Sequence, residues 1–191
     1  MKKFQPRLTE SPLQLAIGTI LIAKPLIPDE TYRRTVVMIV HHDEYNTTGL
    51  ILNRPSAVHV DEVFDILPVN TVLNIGGPVE SHLVTFVHDI PGFDEALSLG
   101  NGLYWGGSHD YLEKKIVQQP DIKNRLRFYA GITSWNAGEL ENELNTGYWW
   151  AATINPFELF SDCIPDLRSY VLLREENLFG VLNDVPDPVL N

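Results

Sequence analysis

Residues 35–52 read TVVMIVHHDEYNTTGLIL. A β-branched apolar run, Thr35 to His41, meets the polar turn Asp43-Glu44-Tyr45-Asn46-Thr47. A second apolar run, Thr48-Gly49-Leu50-Ile51-Leu52, follows and is ended by Asn53-Arg54-Pro55. Two such runs about a short polar turn predict a β-hairpin. Upstream, Gly18 to Ala23 predicts another strand, closed by a turn from Lys24-Pro25 through Pro28-Asp29. Downstream, Val60, Val63, Phe64 and Leu67 recur at helical spacing, with Asp61 and Glu62 suited to the first turn of a helix over residues 60–67. Short strands are then predicted at Val72–Ile75, Leu83–Val87, Ala96–Leu99 and Leu103–Trp105, and their Gly and Pro punctuation suits bent, irregular sheets. Ser108 caps a helix to about Gln118, and Arg125 to Thr133 returns as a strand. Asn136 and Glu139 form a capping-box pair ahead of the Leu140/Leu144 stripe, and Gly147 ends that helix. Trp149-Trp150 reads as a buried or rim aromatic pair, Pro156–Phe160 as a helical turn and Pro165–Arg174 as a last helix. Strands and helices in this order, without linker or repeat, give one α+β domain.

The 191 residues are 44% hydrophobic and 20% charged, which suits a globular domain with a sizeable core and excludes disorder or coiled coil for the whole. With 14 basic and 25 acidic side chains the net charge is −11, which argues against phosphate-backbone binding. The acidity is uneven. Residues 1–128 carry 12 basic and 15 acidic side chains, net −3, whereas residues 129–191 carry only Arg168 and Arg174 against ten acids, net −8. The later segment is either a solvated face or a surface for a basic partner. Cys163 is the only cysteine, so no intramolecular disulfide forms and a cytoplasmic location is the default expectation. Lys2, Lys3 and Arg7 before Leu13–Ala23 imitate a signal peptide. Glu10, Pro12, Gln14 and Gly18-Thr19 spoil the imitation, and the stretch is too short to span a membrane.

Few constellations carry chemistry. Ser108-His109-Asp110 has the residue types of a hydrolytic triad, but neighbours at a helix start diverge by about 100 degrees, so helix capping explains them better. The six histidines lack metal-ligand spacing, and no metal or cofactor is expected. Gly76-Gly77-Pro78 leaves consecutive backbone N–H groups uncovered, as in an anion nest, although Gly-Gly-Pro more often marks a tight turn or bulge. Asn53-Arg54-Pro55 puts an amide and a guanidinium just outside a strand, where a planar donor holds a carboxylate or phosphate. A surface salt bridge with an Asx turn is the plainer alternative. Gly138 in the first turn of its helix costs about 1 kcal/mol relative to alanine, which raises the suspicion of close approach by a backbone or ligand beside Trp135.

The ordered pieces Ala23-Lys24-Pro25, Arg33-Arg34-Thr35-Val36-Val37, Gly49 to Pro55, Gly76-Gly77-Pro78-Val79, Phe86-Val87-His88, Tyr129-Ala130-Gly131 and Trp135 to Glu141 with Trp149 together resemble the AlgH/YqgE family of bacterial proteins. The match spans roughly residues 14 to 160. It implies an α+β fold of bent, branching mixed or antiparallel sheets flanked by helices. The expected domain covers residues 14–182, between a flexible segment at 1–13 and a frayed tail at 183–191. The resemblance carries no assigned activity and no catalytic residue. Its motif positions Asn53, Arg54, Gly76, Gly77, Pro78, His88, Trp135 and Gly138 are candidates for a shared pocket.

The leading functional expectation is a non-enzymatic, regulatory protein acting through an unknown protein partner or a small molecule. A hydrolase-type enzyme, with His88 or carboxylates assembled from distant segments, is the alternative. Direct DNA regulation, which the family's founding name suggests, is disfavoured by the charge; Lys114, Lys115, Lys123, Arg125 and Arg127 form the one basic cluster.

Overall fold

The computed structural model describes residues 15–64 and 71–175. The expected N-terminal segment 1–13 and tail 183–191 lie outside them, as does Leu67. The hairpin forms as read: β2 (Val36–His42) pairs antiparallel with β3 (Asn46–Ile51), with a register shift between Ile39 and His41. On its other side β2 pairs with β1 (Ile20–Ala23), which pairs in turn with β10 (Trp149–Ala152), so the Trp149-Trp150 pair belongs to an edge strand.

The apolar run of β2 is continuous because both of its faces are covered. Successive side chains alternate across the sheet, so Val36, Met38 and Val40 join one core with Ile20, Ile22, Leu159, Val171 and Leu172. Val37 and Ile39 join a second with Leu21, Tyr32, Trp135, Leu140 and Trp149. Each fully buried aliphatic side chain contributes about 2 kcal/mol by leaving water. The first core is roofed by α4 (Pro156–Phe160) and α5 (Leu167–Glu175), the second by α3 (Glu139–Thr146).

A third core lies on the other half of the sheet. Here Leu112 and Ile116 of α2 (His109–Gln118) pack with Phe86, Leu126 and Phe128. Ser108 caps α2 by accepting from the Tyr111 N–H, and the His109 ring lies against Phe64 and Phe86, so Ser108-His109-Asp110 is a helix start. The helix predicted over 60–67 is shorter: α1 (Val60–Val63) ends where Phe64 becomes extended. Its entry is β4 (Pro55–His59), an exposed strand that pairs with β5 (Val72–Ile75) and tolerates a proline at its first position.

The two halves meet in β9 (Leu126–Asn136). Its last residues pair antiparallel with β3, while its first pair with β6 (Val79–His88) on one side and, in parallel, with β5 on the other. β6 continues to β8 (Leu103–Trp105) and β7 (Leu97–Gly100). The result is a mixed, branched, bent sheet with helices on its faces.

Gly76 and Gly77 make that branch possible. A Cβ on Gly76 would sit 2.3 Å from the Gly131 carbonyl oxygen, and one on Gly77 would sit 2.1 Å from the Ile132 carbonyl. Backbone crosses backbone here with no room for a side chain. The Gly76 N–H donates to the Ala130 carbonyl at 2.8 Å, so that N–H serves the strand crossing and not an anion.

Candidate ligand-binding cleft

Asn53 is fixed by backbone on both sides of its amide. Its Oδ1 accepts from the Val36 N–H at 2.8 Å and its Nδ2 donates to the Arg34 carbonyl at 2.9 Å. The Arg34 carbonyl so held belongs to a non-glycine residue in the left-handed region, φ 56°, a strained conformation that the surroundings must enforce. The Ile75 N–H donates to the Arg54 carbonyl, which ties the turn after β3 to β5. One side-chain amide thus aligns the loop carrying Arg33 and Arg34 with the turn carrying Arg54.

These residues wall a cavity of about 280 Å³ together with Asp166 and Arg168. Arg168 lies on α5, is 3% exposed and donates to the Ala23 carbonyl of β1. Burial first, and the nearby Arg34 charge second, hold the Arg168 pKa below the usual arginine value, while Asp166 works the other way. Burial also lowers that of Arg54, with Asp29 opposing. Arg33 pairs with Glu30 at 3.5 Å. The guanidinium groups of Arg34 and Arg54 make no hydrogen bond or ion pair with any described residue.

Asn53 and Asp166 also border an adjoining cleft of about 700 Å³. Both volumes are of the order of small-molecule sites, about 300–1,000 Å³. The larger cleft opens between the sheet, through Asn74, Arg127 and Tyr129, and the α4–α5 segment, through Leu159, Ser161 and Ile164. Its ionisable groups hold the fold. Glu158 accepts from Arg174 and from the Asn155 N–H, and Arg127 donates to the Phe160 carbonyl at 2.9 Å. Burial pushes the Asp166 carboxyl upward, but its hydrogen bonds from Ser169 outweigh this and hold it below the usual range. Tyr129 differs: it lines the cleft, and its hydroxyl is fully buried with no hydrogen-bond partner among the described residues.

The family is settled by this chain's match to the AlgH-like family model over residues 20–174, nearly the whole described structure. The chain belongs to the AlgH-like family. A UPF0301 protein of Chlorobium luteolum is 37% identical over 189 residues, covering 93% of this chain and 96% of that one. A crystal structure of a Corynebacterium diphtheriae protein matches with a TM-score of 0.76 at 27% identity, over 89% of this chain and 92% of that one. The solution structure of AlgH from Pseudomonas aeruginosa matches at 0.68 and 27%, over 97% and 98%. AlgH-like proteins have no assigned biochemical function, and the branched α+β architecture is theirs.

Asn53 and Arg54 line the cavities above; Gly76, Gly77, Pro78, His88, Trp135 and Gly138 do not. Gly76 and Gly77 serve the strand crossing, and Pro78 is exposed. His88 is a fully buried core histidine. Its Nδ1 accepts from the Ile90 N–H at 3.1 Å, so Nε2 carries the proton and donates to the Gly106 carbonyl at 3.1 Å, with Phe93 and Tyr104 against the ring. Both nitrogens are committed, which removes His88 from proton transfer. Trp135 is buried against Tyr32, and its indole donates to Glu143, whose Oε2 also accepts from Trp149 at 2.7 Å. Gly138, not Asn136, is the N-cap of α3. A Cβ there meets nothing within 4 Å, so its φ of 80° rather than a close approach calls for glycine. Glu139 reaches back to the Asn136 N–H, as the capping pair anticipated, from a cap two residues later.

Within the acidic helix Glu143 is engaged by the two indoles, whereas Glu139 caps the helix and stays on the surface. Replacing Glu143 by alanine leaves two indole N–H groups without their acceptor and is expected to cost about 2 kcal/mol in equilibrium urea unfolding. A loss near zero would mean that water substitutes for the carboxylate.

Sequence reading missed Arg33, Arg34 and Arg168 as site residues, along with Tyr129. A usable signal was present for Arg168, as one of two cations in the strongly acidic last third of the chain. Among the described residues, no group of three or more His, Cys, Asp or Glu side chains is placed to hold a metal ion, and no helix is long and apolar enough to cross a membrane.

Proposed function

We propose that this AlgH-like protein is a non-enzymatic, cytoplasmic regulatory protein that binds a small molecule in the cleft between β9 and the α4–α5 segment. The observation that carries the reading is Tyr129, a residue of the cleft wall whose buried hydroxyl has no partner among the described residues. A buried polar group left unpaired costs about 1–3 kcal/mol, and a ligand that supplies the missing hydrogen bond recovers it. Among the described lining residues there is no histidine or cysteine, so no imidazole-activated nucleophile stands in the cleft. Direct DNA binding is further disfavoured because Arg125 and Arg127 of the basic cluster are occupied by Asp89 and by Phe160 and Asp162.

The test is a thermal-shift screen of a metabolite library, followed by binding measurements on Tyr129→Phe. The variant is expected to unfold at the same or a slightly higher temperature than the parent, because the hydroxyl it loses has no partner among the described residues. It is expected to bind cleft ligands about tenfold more weakly. No ligand in the library, or ligands indifferent to the substitution, would overturn the reading.

A further inference from the structure

We infer that the ligand is a phosphomonoester, its phosphate held among Arg34, Arg54 and their neighbours in the smaller cavity and its organic body lying in the larger cleft against Tyr129. The inference rests on the cleft as a small-molecule site and adds what such a molecule must carry.

The charge pattern supplies the first reason. In a chain of net charge −11, the 280 Å³ cavity is walled by four arginines and one carboxylate, Asp166, whose oxygens already accept from Ser169. Among the described residues Glu30 pairs with Arg33, while Asp29 acts on Arg54 and Asp166 on Arg34 and Arg168, so the guanidinium groups still outnumber these carboxylates and a bound anion relieves the remaining like-charge repulsion. Arg34 and Arg54 make no hydrogen bond or ion pair with any described residue, although Asp166 attracts Arg34 and Asp29 attracts Arg54 at longer range.

The number of donors separates phosphate from carboxylate. One bidentate arginine satisfies a carboxylate, which has two oxygens and a single charge. A phosphomonoester offers three terminal oxygens and close to two charges, which matches a cluster of guanidinium groups. The concave shape selects a small molecule over a polymer backbone, because a nucleic acid needs an open basic face.

The position of Asn53 supplies the second reason. Its amide borders both cavities and holds the left-handed Arg34 backbone in place, so the strain at Arg34 sits where a ligand would join the two compartments. Asn53 is thereby a positioning residue for the arginine loop.

The experiment titrates the full chain, labelled at the arginine side chains, with inorganic phosphate, glycerol 3-phosphate, acetate and glycerol. Arginine Nε–H resonances are followed by NMR. Phosphate should shift the Arg34 and Arg54 signals saturably, and glycerol 3-phosphate should bind more tightly and perturb Tyr129 as well. Arg34→Gln and Arg54→Gln should each weaken phosphate binding about tenfold, while Arg125→Gln leaves it unchanged. Shifts that do not saturate, equal affinity in the Arg34 and Arg54 variants, or acetate binding as well as phosphate would each overturn the inference. Library ligands that bind the Tyr129 cleft with affinities indifferent to both arginine substitutions would overturn the phosphate assignment while leaving the cleft reading intact. Glycerol 3-phosphate binding no tighter than phosphate, without a change at Tyr129, would overturn the placement of the organic body.

Discussion

Alanine at Gly77 is expected to destabilise the protein by about 4 kcal/mol or more, a large part of the stability of an ordinary domain. The added Cβ would stand 2.1 Å from both the carbon and the oxygen of the Ile132 carbonyl and 2.5 Å from the Thr133 nitrogen. These are backbone atoms of the strand that joins the two half-sheets, so no side-chain rotation relieves the clash. Gly138→Ala is the informative contrast. Its site is open, and only its φ of 80° resists a side chain, so a loss of about 1 kcal/mol is expected. Urea unfolding followed by circular dichroism separates the two, and equal losses would show that the strands can part at the branch.

Acid is expected to weaken the protein through His88 before its carboxylates titrate fully. Burial, the largest influence, pulls the His88 pKa from 6.5 down to about 4, against the Gly106 hydrogen bond and Asp89. The unfolded chain takes up a proton near the ordinary histidine value, while the folded chain declines it until much lower pH. Stability is therefore complete above about pH 6.5 and falls as the pH drops toward 4. The slope is near 1.4 kcal/mol per pH unit, for a loss of about 3 kcal/mol. The measurement is the unfolding free energy at neutral pH and at pH 4.5 for the parent and for His88→Gln, which lacks this titration. Nitrogen NMR of the imidazole gives an independent check, since His88 should remain the neutral Nε2–H tautomer at pH 5. Protonation in the folded state near pH 6.5 would refute the argument.

Both effects arise at residues whose importance the sequence announces and whose role it conceals. Local patterns were legible: the hairpin about residues 43–47, Ser108 as a cap, the helix closed by Gly147 and the helical turn after Asn155 follow from periodicity and capping chemistry within a few residues. Strand β4 escaped because Pro55 reads as a terminator, yet an exposed strand can begin on proline. The edge strand β10 escaped because two tryptophans signal burial more clearly than extension. Of the candidate pocket residues, Asn53 and Arg54 do line cavities. His88 and Trp135 proved to be core residues with satisfied polar atoms, since one sequence does not distinguish a motif kept for packing from one kept for binding. The arginine cavity was illegible for a topological reason: Arg34, Arg54 and Arg168 come from three separate segments, and no local spacing records that meeting.

The position of β9 bears on how the chain is made. β1 emerges from the ribosome more than a hundred residues ahead of its outer neighbour β10, and β3, β5 and β6 all await pairing with β9. The nascent chain therefore carries several unpaired strand edges until β9 and β10 have been made. Both half-sheets close only once residues 126–152 have left the exit tunnel. Such late closure of long-range pairings makes for slow folding and a period of exposure to aggregation, during which chaperones have the most to do.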